Sequence, residues 1–306
     1  MRGSPDHSRI GDCDEAAAAT VAGCAAMTPH PKVDAIVDTY LSLADAEAPG
    51  LVEALYLEGS AALGDYRPTA SDVDFVAVTT EPPPVEVIER IHARLGVHPF
   101  DGVYLTWDDL RRDPASLGQR PQAHAGRLNR RGDLNPVTWH TLARHGVTCR
   151  GPKPKDLDIW NDPEALAAWM DANLDHYWRR LVTRAARVVS PWGLACFGGY
   201  ATVWLVTGVS RLHYTLATGE LTSKTGAALH ALRTFPSRWH RVLNEALRLR
   251  EEDTALPTAS SHLSGLADHF GAPRRSLYAS PFERRQDVLA FATHAITTAH
   301  TLYTTR

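Results

Sequence analysis

The stretch that decides the fold is LYLEGSAALGDYRPTASDVDFVAVTT, residues 55–80. It opens with a short apolar run, which predicts a strand that ends at the Gly59-Ser60 turn. A short helix and a loop follow this turn, and eleven residues after Ser60 the chain reaches Ser71. We predict a second strand from there to Val78, because polar and apolar residues alternate before an apolar run begins.

Two aspartates of this second strand suggest a chemical site. Successive side chains of a strand point to opposite faces, so Asp72 and Asp74 should share one face. Two carboxylates about 7 Å apart repel each other unless a cation lies between them. Mg²⁺ binds oxygen ligands and bridges protein carboxylates to substrate phosphates. The small Gly59-Ser60 turn would also let backbone amides approach a phosphate. The alternative is a pair of solvated aspartates at the start of an edge strand.

Length and composition describe a globular protein with one large or two ordinary domains. The chain has 306 residues, of which 44% are hydrophobic and 22% are charged. The net charge of −3 provides no basic field for nucleic acid. The sequence contains no apolar run of about 18 residues, which a membrane span needs, and its cysteines show no CxxC spacing. We expect a cytoplasmic protein without disulfides, membrane segments or a nucleic-acid partner.

Periodicity divides the chain into three parts. We predict a flexible extension over residues 1–30, a mixed α+β domain over 31–155 and an all-helical domain over 156–306. Outside the central stretch, the elements predicted in the α+β domain are a helix over Lys32–Ala48, a helix over Val85–Leu95, a strand over Asp101–Thr106, a helix over Val137–His145 and a strand over Gly146–Gly151. The helices predicted in the last part are Pro163–Val189, Trp192–Thr207, Lys224–Leu232, Trp239–Arg250 and Asp287–Tyr303.

A third carboxylate, Asp101, begins the strand that follows the helix after the two aspartates. On an antiparallel neighbouring strand, this position would reach the same cation. Three nearby acids compete for this role, but they lie at the far end of the strand, where acidic side chains are commonly solvated. These competitors are Asp108, Asp109 and Asp113.

Residues 111–135 are rich in Arg, Gly, Gln and Pro, which predicts a long loop. Arg127, Arg130 and Arg131 could approach a polyphosphate from such a loop. A solvated basic loop is the interpretation that we favour.

The Gly-Ser turn and the Asp-x-Asp strand resemble the nucleotidyltransferase superfamily that includes DNA polymerase β and the aminoglycoside adenylyltransferases. More narrowly, residues 34–303 resemble the streptomycin/spectinomycin (3''/9) adenylyltransferase family. Several separated blocks carry this likeness: Leu57–Asp74, Phe100–Val103, Leu142–His145 with Gly151-Pro152, and Ser210–Tyr214 with Ala217–Gly219 and Ser223-Lys224.

The resemblance implies a nucleotidyltransferase domain followed by a helical domain, with ATP as co-substrate and two Mg²⁺ ions. It implies that Asp72, Asp74 and Asp101 bind metal, and that Asp101 also acts as the catalytic base. In that family the arginine and lysine of the last block contact ATP phosphates, which assigns these contacts to Arg211 and Lys224. Two such cations would neutralise a developing pyrophosphate. The nucleotide-binding residues assigned in this way are Gly59, Ser60, Ser71, Arg211 and Lys224.

The chain departs from the family at the acceptor side. Asp101 stands where the family carries a glutamate, so its carboxylate is one methylene shorter. The family's acid for gripping a cationic drug falls near Phe197–Gly199, where this sequence has none. Trp192 and Trp204 could line an acceptor pocket, although tryptophans on helices usually belong to the core.

We expect AMP transfer to a small hydroxylated, aminoglycoside-like acceptor by a monomer or weak oligomer, as in antibiotic resistance. The alternatives are AMP transfer to a protein or RNA, and a regulatory module that binds a nucleotide without catalysis.

Overall fold

The computed structural model describes residues 28–96, 99–251 and 276–305. The predicted flexible extension lies almost entirely outside these residues. The first part of the chain contains six strands and the helices that flank them. Its elements are α1 (Pro31–Glu47), β1 (Ala54–Leu57), α2 (Gly59–Ala62), β2 (Val73–Thr79), α3 (Val85–Leu95), β3 (Phe100–Thr106), α4 (Trp107–Leu110), β4 (Arg120–His124), β5 (Arg127–Gly132), α5 (Pro136–His145) and β6 (Val147–Arg150).

The strands form one mixed sheet in the order β5-β4-β3-β2-β1-β6. The helices α1 and α3 cover one face, where Tyr40, Phe75 and Phe100 form an aromatic cluster. The other face is covered by α5, whose Trp139 and Leu142 are fully buried. Because both faces are covered, β1 and most of β2 are apolar on both sides.

The prediction that β3 is antiparallel to its neighbour was wrong. The strands β2 and β3 are parallel, and Asp74 is the register partner of Asp101. The reason is topological. The helix α3 carries the chain back along the sheet, so the next strand must run in the same direction as β2. The predicted start of β2 also shifts, because the strand begins at Val73 and Asp72 precedes it.

The predicted loop over residues 111–135 contains a β-hairpin instead. The strands β4 and β5 are antiparallel and join through Ala125 and Gly126, which have φ values of 50° and 71°. Their sequences, RPQAH and RLNRRG, lack apolar alternation. The strand β5 forms the edge of the sheet and β4 lies between β5 and β3, and both remain partly exposed to water. Such strands can be polar, so hydrophobic periodicity does not reveal them.

The described remainder of the chain is helical, as predicted. Two predicted helices are interrupted: a π-helical turn over Leu174–Arg179 divides the first, and Phe197 and Gly198 divide the second. Hydrophobic periodicity does not reveal such short interruptions of a helix, because the apolar face continues across them. The described α-helices of this part are α6 (Pro163–Asn173), α7 (Arg180–Ala186), α8 (Pro191–Ala195), α9 (Gly199–Thr218), α10 (Lys224–Thr234), α11 (His240–Glu251) and α12 (Pro281–Thr304).

The buried core of this helical part forms around α9, against which α10, α11 and α12 pack. Among the described residues, no helix is both long and apolar enough to cross a membrane.

The sheet and the helical part touch through a buried polar junction. Arg250 at the end of α11 donates to Asp65 at 2.7 Å, and Thr225 donates to the same carboxylate from its backbone and its hydroxyl. Arg67 donates in turn to the carbonyl of Arg250 at 2.7 Å. The predicted boundary at residues 155 and 156 falls between β6 and α6, and the independence of the two parts stays a prediction.

Candidate active site

The residues that the sequence singled out come together at one cavity. It has a volume of about 370 Å³ and lies between the sheet and the helical part. All eight predicted site residues line it: Gly59, Ser60, Ser71, Asp72, Asp74, Asp101, Arg211 and Lys224. These residues span more than half of the chain, so only the tertiary fold brings them together.

The three carboxylates occupy the wall that the sheet provides. Asp74 lies on β2 and Asp101 lies beside it on β3, while Asp72 stands just before β2. Burial, together with the charges of Asp72 and Asp101, raises the pKa of Asp74 to about 7. Burial and the charge of Asp101 also raise the pKa of Asp72. The negative charges of these carboxylates are therefore not fully neutralised by the cationic side chains nearby.

The Gly59-Ser60 turn packs directly against the carboxylate of Asp74. Gly59 has a φ of 58°, and a Cβ atom at this position would lie 1.9 Å from Oδ2 of Asp74. A side chain larger than hydrogen is therefore excluded for both conformational and steric reasons. Ser71 closes the loop on the other side, because its hydroxyl accepts a hydrogen bond from the backbone N–H of Arg67 at 3.0 Å.

The two predicted phosphate-binding cations occupy the helical wall. Arg211 lies on α9 and donates to the carbonyl of Thr222 at 3.2 Å. Lys224 begins α10, and its Nζ lies 5.4 Å from the centroid of the Trp204 ring. Burial is the main cause that lowers the pKa of both groups, and the carboxylate of Asp74 opposes this effect. A cation pair held in a cavity in this way favours an anionic ligand between them.

Asp101 is held by the β4–β5 hairpin. Its Oδ1 accepts a hydrogen bond from the backbone N–H of Ala125 at 2.8 Å, and its Oδ2 lies 2.6 Å from Nδ1 of His124.

The competing acids serve other contacts. Asp109 caps α4 and binds Arg120 through both oxygens at 2.7 and 3.0 Å. Asp113 caps a short 3₁₀ turn, and the side chain of Asp108 is 73% exposed. None of the three lines the cavity around Asp74.

The donor set fits Mg²⁺ shared with a substrate. Carboxylate oxygens are the ligands that this ion prefers, and the raised pKa of the buried Asp74 indicates an unmet demand for a cation. Within the described part of the chain, no three His, Cys, Asp or Glu side chains are grouped to hold a metal by themselves. This also fits, because Mg²⁺ usually binds one or two carboxylates and completes its shell with phosphate oxygens and water.

Sequence reasoning missed four ionisable residues of this cavity. Glu58 immediately precedes the Gly59 turn, and burial together with the charge of Asp74 raises its pKa to about 8. Its position next to the turn was a signal that could have identified it. Asp65, His124 and Arg250 gave no such signal, because their contacts depend on the packing of distant segments.

The arginines of the hairpin, which include Arg127, Arg130 and Arg131, do not line this cavity. Arg130 binds Glu86 and Glu89 on α3, so it attaches the hairpin to a helix. Of the two tryptophans proposed for the acceptor side, Trp204 lines the cavity and stacks on Tyr200, whereas Trp192 packs against the helical core.

Comparison with known families agrees with this geometry. Residues 43–108 match the family model described as a nucleotidyltransferase domain, and residues 199–270 match the aminoglycoside adenylyltransferase C-terminal domain. The chain is a nucleotidyltransferase, and its C-terminal part is similar to that of aminoglycoside adenylyltransferases. The two matched segments contain the Asp-x-Asp strand with Asp101, and the block with Arg211 and Lys224.

The fold of this nucleotidyltransferase is also similar to a solved structure. The match is the crystal structure of spectinomycin adenyltransferase AAD(9) from Enterococcus faecialis with ATP and spectinomycin. The TM-score is 0.55 at 10% sequence identity, and the match covers 85% of this chain and 99% of that chain. A comparison with curated proteins gave no match.

Proposed function

We propose that this protein uses ATP and Mg²⁺ to transfer AMP to a hydroxyl group of a small, aminoglycoside-like molecule. The observation that carries the proposal is the cavity that places Asp72, Asp74 and Asp101 opposite Arg211 and Lys224. Carboxylates on one wall and cations on the other suit a triphosphate whose metal-bound side faces the sheet. The cytoplasm supplies both ATP and Mg²⁺, so we place the reaction there.

The proposed reaction is an in-line displacement at the α-phosphorus of ATP. The acceptor hydroxyl gives its proton to the carboxylate of Asp101 as its oxygen bonds to phosphorus. The bond to pyrophosphate breaks in the same displacement, and Arg211 and Lys224 stabilise the charge that develops on the leaving group. Bound Mg²⁺, held by Asp72 and Asp74 with Asp101 as the third predicted ligand, would supply further neutralisation of the phosphate oxygens.

We expect the acceptor to bind between the hairpin and the helical wall, because Asp101 lines the cavity together with His124 and Trp204. In the adenylyltransferase family that this sequence resembles, an acidic residue lies near the position of Phe197. In this protein, Phe197 instead contacts two cationic side chains. Arg284 donates to its carbonyl, and the guanidinium of Arg285 lies 5.5 Å from the centroid of its ring. An acceptor panel should therefore contain neutral hydroxylated molecules as well as polycationic aminoglycosides such as spectinomycin and streptomycin.

The test is a search for adenylylated product. The purified chain is incubated with ATP and Mg²⁺ and with each acceptor in turn, and pyrophosphate release and the mass of the acceptor are measured. We expect at least one small acceptor to gain one AMP, and the Asp74→Asn variant to give none. Modification of only RNA or protein acceptors, or ATP binding without any transfer, would contradict the proposal.

A further inference from the structure

We propose that His124 is a positioning residue that holds Asp101, the proposed base, in its reactive orientation. This inference rests on the proposed function, since it assigns a role to a neighbour of the residue that takes the proton. His124 lies on a polar strand that the sequence did not reveal as a strand. It lines the same cavity as Asp101.

The sheet register creates this contact. The antiparallel pair β3–β4 aligns Gly102 with Ala123, so the next residues outward are Asp101 and His124. Across this pair, Nδ1 of His124 lies 2.6 Å from Oδ2 of Asp101. The backbone N–H of Ala125 donates to the other oxygen, Oδ1, at 2.8 Å. One strand end therefore supplies a contact to each oxygen of the carboxylate.

The turn that presents these groups adopts a demanding conformation. Ala125 has a φ of 50°, and it is the only non-glycine residue of the described chain with a positive φ. A left-handed conformation is sterically unfavourable for an L-residue. Such conformations persist where the surroundings determine them, and they concentrate at functional sites. Here the conformation directs the Ala125 amide toward Asp101.

The whole hairpin is anchored as well. Arg130 on β5 binds Glu89 at 2.8 Å and Glu86 at 3.2 Å, both on α3. The imidazole is thus attached to a strand whose position is set by the sheet on one side and by a helix on the other. By contrast, the side chain of His124 is 65% exposed, so it contributes little to the hydrophobic core.

A positioning role follows from the length of the base. Asp101 has one rotatable bond fewer than a glutamate, so its carboxylate has fewer ways to adjust its position once the backbone is fixed. Two donors fix the plane of its carboxylate, and each oxygen keeps a second lone pair for another partner. A lone pair directed into the cavity can then accept the proton of a bound hydroxyl. A displacement of about 1 Å at such a group can reduce the rate by about 10²-fold.

The first test uses neither ATP nor an acceptor. We expect ¹⁵N-histidine NMR of the full chain near neutral pH to show His124 with its proton on Nδ1, bonded to Asp101, and this signal to change in the Asp101→Asn variant. A His124 ring protonated on Nε2 alone, or a signal that Asp101→Asn leaves unchanged, would overturn the inference. This result is independent of whether the protein transfers AMP.

The second test compares side chains that reproduce different ring nitrogens. An asparagine amide can replace the Nδ1–H donor, a glutamine amide approximates Nε2, and alanine replaces neither. We expect His124→Asn to keep kcat within about threefold, and His124→Gln and His124→Ala to lose on the order of 10-fold to 10²-fold. The KM for ATP should change less than about twofold in all three variants, because the proposed role of His124 is to orient the base and not to bind the phosphates.

The matched control is His176→Asn, at an exposed histidine of the helical part, which should leave both kcat and KM unchanged. Equal losses in the asparagine and alanine variants would show that the ring does more than donate from Nδ1, and the positioning role would be withdrawn. Unchanged kcat in the alanine variant would also overturn it. If the wild-type chain transfers nothing, the proposed function fails, while the NMR result still decides whether the contact exists.

Discussion

Asp74 and Asp101 are direct register partners on the parallel strands β2 and β3, so their carboxylates project from the same face of the sheet. Like charges opposite each other destabilise a sheet. Here both residues line the cavity, and the charge of Asp101 contributes to the raised pKa of Asp74. The repulsion between the two carboxylates therefore destabilises the free protein and favours the binding of a cation. The first two predictions follow from this repulsion.

Removal of the charge of Asp74 should abolish AMP transfer without loss of the fold. We expect Asp74→Asn to give no detectable product. Its melting temperature without Mg²⁺ should equal or exceed that of the wild type, because a repulsive charge is gone. The control is Asp108→Asn, whose side chain is 73% exposed and which should behave as wild type. Near-normal turnover by Asp74→Asn, measured by pyrophosphate release, would remove this residue from the metal site.

The proposed base can be distinguished from its neighbour Asp109 by kinetics and stability. Asp101→Asn should lower kcat on the order of 10²-fold while ATP binding is retained. Asp109→Asn should lower the free energy of unfolding by about 1–3 kcal/mol, because it weakens a buried pair with Arg120, but it should keep kcat. Urea unfolding and steady-state kinetics of both variants measure the contrast. An active Asp101→Asn beside an inactive, folded Asp109→Asn would reverse the assignment.

Gly59 should be required for activity because of its contact with Asp74. In Gly59→Ala, the new methyl group would lie 1.9 Å from the carboxylate oxygen, so the turn or Asp74 must move. We expect a large loss of kcat together with a modest fall in melting temperature. Gly64→Ala is the control, since Gly64 has a φ of 68° but no atom lies within 4 Å of the place that a Cβ atom would occupy. Equal activity of the two variants would show that the contact with Asp74 does not matter.

ATP with Mg²⁺ should bridge the sheet and the helical part, because its proposed ligands lie on both. A ligand that binds only the joined state stabilises it by about 2.7 kcal/mol at a hundredfold excess over Kd. The melting temperature should rise with ATP plus Mg²⁺ and much less with ATP alone. Lys224→Ala should reduce that rise and increase the KM for ATP, whereas Lys32→Ala, at an exposed position, should not.

A fragment of residues 31–155 extends this test to the predicted domain boundary. If it folds, it should bind ATP weakly and transfer nothing, because Arg211 and Lys224 are absent. Binding as tight as that of the full chain, measured by calorimetry, would show that the helical part does not contact the phosphates.

Acid should destabilise the protein through His213, a histidine buried in the helical core. Burial, together with His230 and His294, lowers the pKa of His213 to about 4. An unfolded histidine has a pKa of about 6.5. Between these values the unfolded state binds a proton that the native state excludes. The free energy of unfolding should therefore be highest above pH 6.5 and fall as the pH drops, by up to about 1.4 kcal/mol per unit for this group.

The measurement is urea unfolding of the wild type and of His213→Leu between about pH 4.5 and 7.5. The difference in the free energy of unfolding between the two proteins should change with pH, with a slope that corresponds to close to one bound proton. His176→Leu, which alters an exposed histidine, should leave the wild-type slope unchanged. If the free energy of unfolding of His213→Leu changed with pH in the same way as that of the wild type, the assignment would be contradicted.

Much of the fold could be predicted because its signals are local. The bounds of α3 agree with the predicted ones, since an apolar face recurs at helical spacing between a proline and a glycine. The residues of the hairpin β4–β5 carried no comparable signal, because these two polar strands are stabilised by backbone hydrogen bonds to neighbouring strands. His124, which lies at the end of that hairpin, was overlooked for the same reason.

The sequence by itself determined which residues could carry the chemistry: the Gly59-Ser60 turn, the Asp-x-Asp strand, Asp101 and the cations of the helical part. Their types, spacings and flanking apolar runs are properties of the chain alone. Tertiary structure decided how they meet. It made β2 and β3 parallel, and it joined Asp65 to Arg250 across 185 positions of sequence. Such contacts depend on packing free energy summed over many buried groups, and no short stretch of sequence contains that information.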